Sequence, residues 1–248
     1  MGLYVIIPAR YGSTRFPGKP LVAINGRPMI QHVMERAGRA PGVVEVAVAT
    51  DDQRIARAVE AFGGRAVMTK SDLRTGSDRV AAAAQAMGLK GDDLVVNVQG
   101  DQPLLPPEVI SQTAAPLLAD PGLGMATPVV PITRPEEVTD PNHVKVVLDQ
   151  NGDALYFSRQ PIPHPRDGAP VTFLKHLGVY VYRKSFLDTY AALPSGTLEE
   201  LEKLEQLRVL EAGYRLRCVI TQFDSPEVDR PEDARRVAQI IQDSPPDW

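Results

Sequence analysis

Apolar positions come in two rhythms along the first half of this chain. Residues 3–7 form a continuous apolar run, as expected for a strand buried on both faces. Met29, Ile30, Val33, Met34 and Ala37 then recur at helical spacing. Residues 44–49 predict a second strand, and Ile55, Ala58, Val59 and Phe62 a second helix. Residues 66–68 predict a short third strand. An Ala-rich helix over 79–87 follows, with Ser77 or Asp78 as its cap. Residues 94–98 and 108–118 complete a fourth strand and a fourth helix. Strand and helix alternate at βαβ spacing, so the fold class is α/β, with a doubly wound, mostly parallel sheet.

The texture changes beyond Gln102, where prolines crowd the chain and Asp140-Pro141-Asn142 signals a turn. Residues 144–148, 154–157 and 177–182 read as strands of a smaller, mixed lobe grown out of the main sheet, spanning about residues 125–215 of one domain. Residues 198–210 predict a strong helix, with Leu198, Leu201, Leu204, Leu207 and Leu210 as core or interface. A last helix is predicted over 231–241, with Pro231 in its first turn and Asp229 just ahead of it.

The 248 residues suit one large domain, and a hydrophobic share of 43% supports a sizeable core. Net charge −4 argues against a nucleic-acid surface, which usually carries a basic excess. The single cysteine, Cys218, lies in an apolar run, excludes an intrachain disulfide and reads as a buried strand residue. No apolar stretch approaches the roughly 20 residues a bilayer-spanning helix needs. A soluble, cytoplasmic protein without a membrane partner is expected.

In open α/β sheets ligands sit beyond the carboxyl ends of the strands. After the first strand comes Pro8-Ala9-Arg10-Tyr11-Gly12-Ser13-Thr14-Arg15-Phe16-Pro17-Gly18-Lys19. Three cations, two glycines and two hydroxyls suit a triphosphate: glycine lets the backbone approach, arginine forks onto oxygens and lysine supplies a compact charge. The loop is neither a P-loop nor a dinucleotide fingerprint. The plain alternative is a loop of solvated cations. After the fourth strand, Gln99-Gly100-Asp101-Gln102 puts a carboxylate at the same edge, a hard oxygen ligand of the kind magnesium prefers.

These two segments resemble the signature motifs of 3-deoxy-manno-octulosonate cytidylyltransferases, and the resemblance runs from Tyr4 to about Val237. It implies a nucleotide-diphospho-sugar transferase-like fold with a dimerisation lobe, CTP and an acidic sugar as substrates, Mg2+ as cofactor, and a homodimer. It implies that Arg10, Arg15 and Lys19 hold the phosphates, with Ser13 in the same loop, that the backbone near Ala9 contributes to reading the base, and that Lys19, Asp101 and Arg10 carry the chemistry. Ser77 and Arg79 would read the base; the plain reading of Thr75-Gly76-Ser77-Asp78-Arg79 is a helix cap. Asp101 and Asp229 would hold the metal, with Asp233 serving the final helix's N-terminus. Gln99, Arg159, His176, Tyr180, Glu205 and Gln206 would bind the sugar; Glu205 and Arg208 otherwise suit a surface pair at i, i+3.

Two positions depart from the family pattern. Gln102 stands where Glu is usual, removing a charge beside the metal site, and His164 stands where Trp is common. An amino-octulosonate, a sialic-acid-like sugar or a phosphonate is therefore an alternative acceptor, and a non-catalytic CTP-binding homologue the alternative class. The product would enter lipopolysaccharide or capsule precursor synthesis.

Overall fold

Strand β1 (Leu3–Ala9) is apolar throughout because both its faces are covered: Leu3, Val5, Ile7 and Ala9 enter one core and Ile6 the other. The computed structural model describes residues 1–12 and 16–244. After β1 come a short hairpin, β2 (Ala23–Ile24) and β3 (Arg27–Pro28), and α1 (Met29–Gly38). Strand β4 (Val43–Thr50), α2 (Gln53–Ala61), β5 (Arg65–Met68) and α3 (Gly76–Ala86) follow. The chain then crosses β1 to β6 (Leu94–Asn97) and α4 (Pro107–Ala119). Strands β5, β4, β1 and β6 are parallel neighbours in that order, as the alternating pattern predicts.

The second half comprises β7 (Met125–Pro131), α5 (Pro135–Thr139), β8 (Lys145–Leu148), β9 (Ala154–Ser158), β10 (Leu174–His176) and β11 (Tyr180–Arg183). After them come α6 (Lys184–Ala192), α7 (Thr197–Glu202), α8 (Leu207–Glu211), β12 (Arg217–Ile220) and α9 (Pro231–Asp243). These strands extend the same sheet. Beyond β6 the order runs β11, β7, β10, β8, β9, antiparallel at each step, and β12 pairs parallel with β7.

Three local expectations are corrected. The run 177–182 is not one strand: Gly178, at φ 69°, turns the chain between β10 and β11, which share β7 as a neighbour but face β8 and β6 on their other edges. The run 198–210 is not one helix: Lys203 takes a left-handed conformation (φ 54°) and splits it into α7 and α8. The leucines therefore part company, with Leu204 and Leu207 buried and Leu201 74% exposed. Strand β7 and helix α6 lack a clear signal; β7 carries Pro128 and Pro131, which ordinarily count against a strand. Thr75, not Ser77 or Asp78, caps α3: its hydroxyl accepts from Asp78 N at 3.0 Å while Asp78 returns a bond to Thr75 N at 3.1 Å.

One face of the sheet is covered by α1, α2 and α4, the other by α3, α6 and α8. A third cluster joins Ile24, Met29, Leu104, Val228, Ala234 and Val237, seating α9 against the hairpin. Burying each larger apolar side chain is worth roughly 1.5–3 kcal/mol over leaving it in water. That cluster returns the C-terminal segment to the end of β1, beside the loops that matter below. Thr75→Ala is expected to lower unfolding free energy by about 1 kcal/mol in urea titrations, with Thr75→Ser recovering most of it.

Candidate active site

From β1 the chain moves to one side of the sheet, and from β6 to the other. The strand order thus reverses between β1 and β6, where open α/β sheets leave a crevice. The segments after these two strands meet there. Gly100 permits the approach, since a Cβ on it would lie 3.2 Å from the Pro8 carbonyl oxygen. Gly18 (φ 71°) turns the phosphate-loop candidate and donates its N–H to Tyr11 O at 2.9 Å. The Tyr11 ring in turn carries the Arg54 guanidinium 3.3 Å over its centroid.

At the crevice mouth the Lys19 Nζ donates to Asp101 Oδ2 at 2.6 Å and to Asp229 Oδ1 at 3.3 Å. These residues come from three distant parts of the chain. Asp229 is free of capping duty because Asp233, as expected, takes the N–H groups of Asp229 and Arg230 at 3.1 and 2.9 Å. Val228 N donates to Asp101 O at 2.9 Å, tying the two carboxylate-bearing segments together. Burial alone would lower the Lys19 pKa. The paired Asp101, and then Asp229, outweigh it, so the ammonium titrates above its ordinary value and stays charged.

Beside this triad opens a cavity of about 610 Å³. Its wall includes Gln99, Arg159, His176, Tyr180, Glu205 and Gln206, together with Asp101 and Asp229. The Tyr180 hydroxyl donates to Gln206 Oε1 at 3.0 Å, and Gln206 Nε2 is buried without a partner among the described residues. Gln99 reaches Asn97 Oδ1 and Gly178 O, both at 3.4 Å. Arg159 braces the rim, donating to the carbonyls of Glu202, Pro141 and Lys203 at 2.7, 2.8 and 3.4 Å. Glu205 turns inward to accept from the Ser77 hydroxyl at 3.0 Å, so it does not pair with Arg208. Arg208 instead makes a fork onto Glu199 at 2.8 and 2.6 Å. Burial raises the Glu205 pKa, and the Ser77 hydrogen bonds offset part of that.

Ser77 and Arg79 lie below this wall, both fully buried. Ser77 Oγ joins Asn97, Tyr182 and Glu205. Arg79 bonds Thr69, Lys70 O and, at 3.0 Å, Asp51. Arg10 clasps the carbonyls of Leu73 and Arg74, each at 2.9 Å. Ala9 is buried at the end of β1. Ser13 and Arg15 lie outside the described residues. His164 is exposed and away from the cavity wall.

The family model for cytidylyltransferases matches residues 4–218. The chain belongs to the cytidylyltransferase family. It is 57% identical over 244 residues to a 3-deoxy-manno-octulosonate cytidylyltransferase of Desulfatibacillum aliphaticivorans, covering 98% of this chain and 100% of the relative. It is also 57% identical over 236 residues to an 8-amino-3,8-dideoxy-manno-octulosonate cytidylyltransferase of Shewanella sediminis, covering 95% and 96%. The solved structure of a CMP:2-keto-3-deoxy-manno-octonic acid synthetase complexed with CTP matches at TM-score 0.91 and 43% identity, covering 98% of this chain and 99% of that one.

One side chain in this cytidylyltransferase escaped the sequence reading. Glu227 lines the cavity beside Asp101 and Asp229, and Gln102 Nε2 donates to its Oε1 at 3.4 Å. A carboxyl group thus faces Gln102, and burial, then the nearby Asp101 and Asp229, push its pKa up to about 8. A signal was present: in Glu227-Val228-Asp229 the central residue is fully buried, which throws its two neighbours toward the opposite side.

His176 also has a defined role in the wall. The Thr127 hydroxyl donates to Val179 O at 2.6 Å, so it accepts from His176 Nε2 at 2.8 Å. That leaves Nδ1 as the ring's acceptor. Burial against Phe157 and Tyr180 lowers the His176 pKa from 6.5 to about 3. A depressed folded-state pKa contributes stability above pH 6.5 that is lost as pH falls toward about 3, because the unfolded chain takes up the proton first. In His176→Gln the acid-side slope of unfolding free energy should flatten by up to roughly 1.4 kcal/mol per pH unit, read from urea melts between pH 7 and 4.

Proposed function

We propose that this cytidylyltransferase moves CMP from CTP to the anomeric hydroxyl of 3-deoxy-manno-octulosonate and releases pyrophosphate. The observation that carries the reading is the Lys19–Asp101–Asp229 cluster at the sheet's reversal point, opening onto a polar cavity. Relatives of full-length coverage named for this reaction support it.

Two carboxylates around one cationic position suit magnesium, which takes few protein oxygens and leaves room for phosphate oxygens and water. Lys19 itself marks the spot where positive charge is stabilised. Asp101 and Asp229 would hold the ion, which would neutralise phosphate charge.

The rest falls to the chain's own groups. Lys19, sharing the carboxylates with the ion, would turn its ammonium to the α-phosphate oxygens, where charge grows as the acceptor oxygen attacks. The new bond joins that oxygen to the α-phosphorus and the α–β anhydride bond breaks, with the acceptor proton leaving to solvent. Arg10 holds the loop before α3 in place, and Ser13 and Arg15, outside the described residues, are assigned to the phosphates from the sequence. Ala9 contributes backbone at the nucleotide end. Arg79 and Ser77 act from beneath, fixing Asp51 and Glu205 as the floor of the nucleotide and sugar subsites. For the sugar, Gln206 Nε2 offers a donor, while Glu205 and His176 Nδ1 offer acceptors. Gln99 and Tyr180 complete that wall, and Arg159 sits at its rim for the carboxylate.

A homodimer is part of this reading. Strand β9 is the last of its sheet order, and Leu155 on it and Leu201 nearby in sequence to its partner Glu202 are 62% and 74% exposed. The lobe of about residues 125–215 would then serve both sugar binding and dimerisation. The reaction draws on CTP and is assigned to the cytoplasm.

Pyrophosphate release with CTP, magnesium and the octulosonate is the direct test. Lys19→Ala and Asp101→Ala are each expected to lower kcat by about a hundredfold or more. Release that ignores the identity of the nucleotide, or survives both substitutions, would sink the assignment. Sedimentation velocity should show a dimer that Leu155→Glu with Leu201→Glu shifts toward monomer; a monomeric wild-type chain overturns the dimer.

A further inference from the structure

Arg54 is a cation at the nucleotide edge of the sheet for which the transfer above has no use. It lies in the first turn of α2, just after β4, and its side chain is more than half exposed. An exposed arginine ordinarily samples many rotamers, and holding it in one costs entropy. This one is held. Arg54 Nε and Nη2 donate to Asp52 Oδ1 and Oδ2 at 2.9 and 2.6 Å, and the same carboxylate caps α2 by accepting from Arg54 N at 2.9 Å. The side-chain bonds from Arg54 bring the Asp52 carboxyl down to about 2, so the pair stays charged near neutral pH.

The fixed guanidinium covers the Tyr11 ring, 3.3 Å over its centroid. Tyr11 and Gly18 flank the middle of the phosphate loop, and Gly18 N donates to Tyr11 O at 2.9 Å. The same ring lies against Gly18, since a Cβ added there would stand 3.2 Å from Tyr11 Cζ. Lys19 is the next residue, and its ammonium is the one that meets Asp101 and Asp229. Contacts therefore run from Asp52 through Arg54 and Tyr11 to Gly18 and the root of Lys19. The neighbouring carboxylate serves the other end of the nucleotide, because Asp51 accepts from buried Arg79 at 3.0 Å.

We propose that the Asp52–Arg54 pair is a positioning clasp for the triphosphate: by covering the Tyr11 ring it fixes the two flanks of the phosphate loop, and with them the approach of Lys19 to CTP. It rests on the cytidylyltransferase reading and adds a residue that shapes the nucleotide's site without touching the reacting atoms. A cation over a ring is a modest contact, but a loop carrying a lysine to a phosphate loses its geometry on a displacement of about 1 Å. Arg54 is a positioning residue, and its effect passes through Tyr11.

The experiment is a double-mutant cycle: CTP binding by calorimetry and steady-state pyrophosphate release in the wild type, Arg54→Met, Tyr11→Leu and the double variant. Arg54→Met is expected to raise Kd and KM for CTP about fivefold, with kcat and the KM for the acidic sugar within about twofold of the wild type. The double variant should lose no more CTP affinity than Tyr11→Leu alone, because the guanidinium then has no ring to cover. Tyr11→Phe keeps the ring face, so Arg54→Met should cost as much in that background as in the wild type. Losses that simply add would overturn the clasp, as would an Arg54→Met variant that binds CTP unchanged. A fall in kcat with CTP affinity intact would overturn it too, by placing Arg54 on the reacting phosphates. Coupled losses of CTP binding in a protein that releases pyrophosphate with no acidic sugar would uphold the clasp and bring down the transfer activity instead.

Discussion

The arrangement of the site depends on one ammonium between two carboxylates. Lys19 lies on the loop after β1, Asp101 on the loop after β6 and Asp229 just ahead of α9. Left alone, two carboxylates this close would repel each other and raise each other's pKa. With Lys19 between them, three segments separated by up to 210 positions hold together. The same contact defines where positive charge is welcome, so the feature that organises the free protein also prepares it for phosphate and metal.

The rest of the fold serves that meeting. The reversal of strand order brings two loops to one edge, and glycine at position 100 lets their backbones touch. The small third core seats α9, and Asp233 takes over the helix N-terminus so that Asp229 faces the crevice. On the acceptor side, buried hydrogen bonds settle the orientation of groups that would otherwise be ambiguous. Thr127 selects the His176 tautomer, Tyr180 selects the Gln206 amide orientation, and Ser77 draws Glu205 inward. A polar wall whose members are locked from behind binds a ligand without first ordering its own side chains.

The antiparallel half shows how close packing overrides local pattern. Residues 198–210 have helical periodicity from end to end, yet Lys203 breaks them. An unbroken helix would carry Glu205 and Arg208 on one surface. The break sends Glu205 to Ser77 and Arg208 to Glu199, gaining buried hydrogen bonds that an exposed i, i+3 pair does not supply. Likewise Gly178 turns the chain between β10 and β11, so that the apolar run 177–182 is strand only in its second half.

Periodicity alone determined the parallel half: β1, β4, β5 and β6 with their helices, and with them the edge where Lys19 and Asp101 had to lie. These are local properties, because a strand buried on both faces and an amphipathic helix each write their burial into consecutive residues. Motif resemblance then placed Asp229 and the six polar residues that do line the cavity. Glu227, the inward turn of Glu205, the burial of Ser77 and Arg79, and the two broken elements were decided only by the tertiary structure. Each depends on which distant side chain stands opposite: Gln102 is 125 positions from Glu227, and Ser77 is 128 from Glu205. Spacing along a chain carries no record of such partners until the sheet has closed around them.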